Sequence, residues 1–139
     1  MNRIYEKGWL NKSLIAIAVL GIMLTFLFQE FTFLSNLNIS GNTQFILRKV
    51  LRVLLNDFFM LIFIAAWFKE WRVTRLAIAI QLIDSLILLP AYLVLKLWAE
   101  GNAEISIPLL SQLHRLIINP TLMILLIPAV YFQRLSKSR

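Results

Sequence analysis

Apolar residues fall into four long runs along the chain, and the stretches between them are polar or charged. The first run, Ser13–Phe28 (SLIAIAVLGIMLTFLF), is prolonged beyond Gln29 and Glu30 by Phe31, Phe33 and Leu34. The others are Val50–Phe68, Leu76–Trp98 and about Ile107–Phe132. About 20 apolar residues in a helix cover the ~30 Å of a bilayer's hydrocarbon core. The pattern predicts an all-α integral membrane four-helix bundle. It forms one transmembrane domain over residues 1–139, with spans at about 13–33, 50–68, 76–98 and 107–132. Between them, Ser35–Thr43 (SNLNISGNT) reads as a loop, Lys69–Arg75 (KEWRVTR) as a short basic turn, and Trp98–Ser106 (WAEGNAEIS) as an acidic loop. Pro90 predicts a kink in the third span, whereas Pro108 falls near the start of the fourth and Pro120 and Pro128 inside it.

Composition agrees with this pattern: 60% of the 139 residues are hydrophobic and 15% charged, with a mean hydropathy of +0.78. That leaves no room for a large lobe outside the membrane. The absence of cysteine excludes disulfides, thiol nucleophiles and thiolate metal sites. With one histidine and no acidic cluster, neither a metal site nor any other cofactor is expected.

The net charge of +7 is carried at the edges of the apolar runs rather than on a basic stripe with interleaved aromatics. Membrane lipid, not nucleic acid, is the implied partner. Arg3, Lys7 and Lys12 precede the first run, Lys69, Arg72 and Arg75 follow the second, and Arg134, Lys137 and Arg139 close the chain. Basic residues stay preferentially on the cytoplasmic side, so both termini and the middle turn are expected there. The basic start followed by an apolar core also resembles a signal peptide, but no small-x-small cleavage site follows, and an uncleaved first helix is expected. Trp67, Trp71 and Trp98 fall where interfacial anchors belong.

Two carboxylates break the pattern. Asp57 and Asp84 lie inside the second and third runs, where a charge costs roughly 2.5–3.5 kcal/mol. At 1.5 Å per residue they sit roughly 16 Å and 13 Å from the inner ends of their spans, at matching depth. Arg52 and Asn56 share a face one turn apart, as do Arg115 and Asn119 beside His114, and Gln81, Asp84 and Ser85 form a third stripe. Arg52, Asn56, Asp57, Gln81, Asp84, His114, Arg115 and Asn119 are therefore the candidate intramembrane polar network. Arg52 or Arg115 is the expected partner of Asp57, Glu30 can join Arg48, Arg52 or Arg115, and Lys96 is expected to snorkel to the interface. Whether Asp57 faces Asp84 depends on helix rotation and stays open.

No nucleophile context surrounds His114; Ser111, one turn earlier, is the nearest hydroxyl on its face. The chain is expected not to be an enzyme. The segment His114–Arg134 (HRLIINPTLMILLIPAVYFQR), with Arg52–Asp57 (RVLLND) and the four-span layout, resembles the exosortase F system-associated membrane proteins of Bacteroidota. That resemblance implies a multi-pass protein of the bacterial inner (cytoplasmic) membrane and a partner rather than a reaction. The partner is an exosortase-family enzyme of protein sorting, which this chain serves as a non-enzymatic accessory. Exosortase-like enzymes work through Cys, Arg and His, and a chain without cysteine is not one of them. The competing expectation is a small ion- or proton-coupled channel or transporter subunit that uses Asp57 and Asp84.

Overall fold

A serine sets where the second helix begins. Ser40 Oγ accepts the Thr43 N–H at 3.4 Å, an N-cap that starts the helix at Gly41, well before Val50. The computed structural model describes residues 8–28, 36–101 and 106–138. All their regular elements are helical: α1 (Gly8–Leu27), α2 (Gly41–Phe68), α3 (Trp71–Ile83), a π-helical turn (Asp84–Leu88), α4 (Leu89–Ala99), α5 (Pro108–Ile118) and α6 (Thr121–Lys137). The extension of the first span through Phe31, Phe33 and Leu34 lies outside the described residues, as do Glu30, Arg3, Lys7 and Arg139.

The basic turn expected at Lys69–Arg75 shrinks to two residues. Lys69 takes a left-handed conformation (φ 55°) and donates its N–H to Ala65 O at 3.2 Å, closing α2. Trp71 then opens α3, so Arg72 and Arg75 are helical. α3, the π turn and α4 continue as one 29-residue helix, Trp71–Ala99. With α1 and α2 it makes three helices long and apolar enough to cross a membrane; the total is four if α5 and α6 together form one crossing. Exposed Leu20, Leu24, Leu54, Phe58, Leu86, Ile87 and Val94 coat the outside with the apolar surface that lipid requires.

Small residues bring α1 against α2. Ala18, Gly21 and Thr25 are buried along one face of α1, and a Cβ on Gly21 would overlap the Phe59 ring. Without a hydrophobic driving force in lipid, such close backbone approach is what holds neighbouring helices together. Thr25 Oγ1 meets its own hydrogen-bonding need on Gly21 O at 2.8 Å.

Pro90 does more than kink its helix. It lacks an N–H, and its ring crowds the carbonyl one turn earlier. The chain answers with the wider π turn, in which the Leu89 N–H reaches back to Asp84 O. Buried positions along this helix step through Val73, Ala77 and Asp84, then jump to Leu89 and resume through Tyr92, Leu93 and Lys96. The extra residue rotates α4 relative to α3 and brings Tyr92 and Lys96, rather than Ala91 and Leu95, inward.

The expected fourth span is not one straight helix. α5 ends at Ile118, and α6 starts at Thr121 with a bend of 64° between them. Pro120 cannot continue the hydrogen-bond ladder, and Asn119 before it is extended (φ −88°, ψ 141°). Pro128 stays inside α6.

The apolar interior is divided. Val53, Leu89, Tyr92, Leu93, Leu110, Ile117 and Ile118 form one buried cluster; Met60, Ile64, Phe68, Val73, Ala77, Met123 and Val130 form another. Asn56, Asp57 and Asp84 lie between them.

Candidate functional site

The sequence between Val53 and Met60 places Asn56 and Asp57 on the buried side of α2, where they are 5% and 1% exposed. Asn56 turns toward the α5–α6 break. Its Nδ2 donates to the carbonyl oxygen of Ile118 at 2.9 Å, a backbone acceptor that the helix end leaves without an intrahelical donor. Asn56 Oδ1 is buried and has no partner among the described residues.

Asp57 faces Asp84. Their side chains meet between α2 and the start of the π turn. Asp57 Oδ2, Asp84 Oδ1 and the neighbouring Ser85 Oγ are enclosed without a hydrogen-bond partner among the described residues. This corrects the expectation that Arg52 or Arg115 neutralises Asp57: among the described residues, neither arginine forms an ion pair with it. Gln81 is half-buried one turn before Asp84.

Toward the Glu100 end lies a second group. Tyr92 Oη and His114 Nδ1 are 2.9 Å apart, with the two rings tilted at 50°. Lys49, Arg52, Lys96 and Arg115 all lie within electrostatic reach of His114. The histidine therefore meets a tyrosine and has four cations in its neighbourhood. Lys96 corrects a further expectation: instead of snorkelling outward it is 1% exposed, and its Nζ bonds Glu100 Oε2 at 2.9 Å.

Glu100 joins α4 to α5. Its Oε1 accepts the Ser106 hydroxyl at 2.7 Å and the backbone N–H groups of Ser106 and Ile107 at 2.8 Å each. The Ser106 hydroxyl first, then the Lys96 ammonium and the two backbone donors, hold the Glu100 carboxyl down to about 2.

The predicted network therefore separates into two groups. Asn56, Asp57 and Asp84 form the deep layer; Arg52 and His114 belong to the cationic group. Arg115 and Asn119 are exposed rather than lining an inward stripe, and Asn119 lies just past the end of α5. Tyr92, Lys49, Lys96 and Glu100 were missed as site residues. Tyr92, Lys96 and Glu100 recur at one-turn spacing, a signal that was readable, although the π turn hid that this stripe faces inward.

No family model matches the chain, and no curated protein or solved structure matches it either. The site must be read from its own chemistry.

At the opposite end, Trp67 Nε1 donates to Tyr131 Oη at 2.9 Å, and Arg134 Nη2 reaches Glu70 Oε2 at 3.1 Å. Both partners of that ion pair are about half exposed, so it contributes little. Trp67, Trp71 and Trp98 sit at or near helix ends with exposed rings, as anchors do. Among the described residues no His, Cys, Asp and Glu group is arranged to hold a metal ion.

Proposed function

We propose that the chain is a non-enzymatic accessory subunit of a multi-pass membrane complex. In this reading it crosses the bacterial inner membrane four times, with both termini cytoplasmic. The observation that carries it is the inward pairing of the deep polar groups: Asn56 with Ile118 O, and Asp57 with Asp84. Polar pairs of this kind between membrane helices fix helix orientation and assembly. The resemblance of Arg52–Asp57 and His114–Arg134 to exosortase F system-associated proteins makes an exosortase-like sorting enzyme the partner to test. Co-purification of the tagged chain in mild detergent should recover that enzyme, and deleting the chain should lower the enzyme's abundance. A chain that migrates alone, with partner abundance unchanged on deletion, would overturn the reading.

One observation favours a second reading. A carboxyl pair at membrane depth, with one member on a π turn, is also the chemistry of a proton or cation path. Proteoliposomes would then show flux that Asp57→Asn and Asp84→Asn abolish. Flux that persists in both variants removes the carboxyl pair from transport.

A further inference from the structure

Among the described residues, the cations near His114 outnumber the acidic groups that face them. α2 contributes Lys49 and Arg52, α4 contributes Lys96, and α5 contributes Arg115. Glu100 is the one described carboxylate among them, and it is engaged by Lys96, Ser106 and Ile107. Lys49 rests over the Phe45 ring, 5.5 Å from its centroid. Arg48, one turn before Arg52, and Arg52 itself each enclose an Nε that has no acceptor among the described residues.

Held this close and partly out of water, like charges repel, and enclosed guanidinium donors without acceptors are costly. An anion supplied from outside relieves both. The guanidinium fork matches a phosphate, with which it makes paired, charge-assisted hydrogen bonds. Arg115 is exposed and Arg52 half-buried, so the group leads from the surface inward. Basic pockets between membrane helices are where anionic headgroups dock.

We propose that Lys49, Arg52 and Arg115 form a binding site for a phosphate group, carried by the headgroup of an anionic phospholipid. The site is independent of whether the chain serves a sorting enzyme or a transport path. Its chemistry suits a free phosphate as well, and the experiment separates the two sources.

The full chain, purified in mild detergent, would be mixed with phosphatidylglycerol, with phosphatidylcholine of the same acyl chains, or with inorganic phosphate. Native mass spectrometry reads lipid retention, and thermal melting reads stabilisation. Phosphatidylglycerol should be retained and should raise the melting temperature saturably, while phosphatidylcholine should not. Arg52→Gln should weaken retention by about fivefold. Arg115→Gln removes an exposed side chain, and it should do the same. Lys137→Gln, at the far end of α6, should leave retention unchanged. Saturable stabilisation by inorganic phosphate alone, lost in Arg52→Gln, supports the phosphate site and assigns it a soluble source. Equal retention of both lipids without phosphate stabilisation, or equal losses in the Arg115 and Lys137 variants, overturns the proposal.

Discussion

Asn56 caps a helix to which it does not belong: its Nδ2 stands 2.9 Å from the carbonyl oxygen of Ile118, the last residue of α5. A helix break in an apolar environment leaves backbone carbonyls without donors, and in lipid no water replaces them. Asn56→Leu keeps the side chain's bulk and removes the donor. It should lower stability by about 1 kcal/mol, whereas Phe58→Leu on the exposed side of α2 should have little effect. Thermal melting in detergent would measure the difference, and equal melting temperatures would show that the cap contributes nothing.

The Asp57–Asp84 contact predicts an asymmetric response to substitution. Asp57→Asn still offers a donor and an acceptor to Asp84 and should stay within about 1 kcal/mol of the parent. Asp84→Leu leaves the Asp57 carboxyl enclosed alone and should cost roughly 1–3 kcal/mol. Denaturation by SDS in mixed micelles can compare the two, and the prediction fails if the asparagine variant is the weaker.

Glu100 supplies a pH dependence with a definite sign. Its carboxyl is lowered from 4.5 to about 2 in the folded chain, so the folded state favours the charged form. The stabilisation is present in full above about 4.5 and is lost as pH falls from there through about 2. Glu100→Gln should be less stable than the parent at neutral pH, and the gap should close across that window. Melting curves recorded between neutral and strongly acidic pH test this; a gap independent of pH would deny the carboxylate its role.

Gly21 sets the distance between α1 and α2. Gly21→Leu puts a side chain where the Phe59 ring already lies, and overpacking of this kind costs about 1–3 kcal/mol. Met23→Leu, on the exposed side of the same helix, should be neutral. A cysteine cross-link engineered between α1 and α2 should form in the parent and fail in the Gly21 variant.

The sequence announced its membrane helices because hydropathy is a local property, visible in Leu14–Phe28 or Val50–Phe68 alone. The early start of α2 was less visible. Gly41, Gln44, Arg48 and Lys49 look like loop residues, and the Ser40 cap that overrides that impression is a single hydrogen bond. Pro120 was visible too, but its sequence alone does not say whether a helix kinks or stops there. The pairing of Asp57 with Asp84 was beyond reach, since it depends on the rotation of two helices. One of those rotations changes at a π turn whose cause, Pro90, lies after Asp84. Tyr92, Lys96 and Glu100 kept their one-turn spacing throughout; what the sequence hid was the side they face.

The polar layer of Asn56, Asp57 and Asp84 also has a consequence for how substitutions combine. The cluster around Leu110 and Ile117 and the cluster around Met60 and Met123 share no member. Effects in separate clusters add, whereas neighbours couple. Leu110→Ala and Val130→Ala together should lower stability by the sum of their separate effects, to within about 0.5 kcal/mol. Leu110→Ala with Ile117→Ala, inside one cluster, should depart from the sum by more. In this sense the chain carries two packing problems that evolution can solve one at a time.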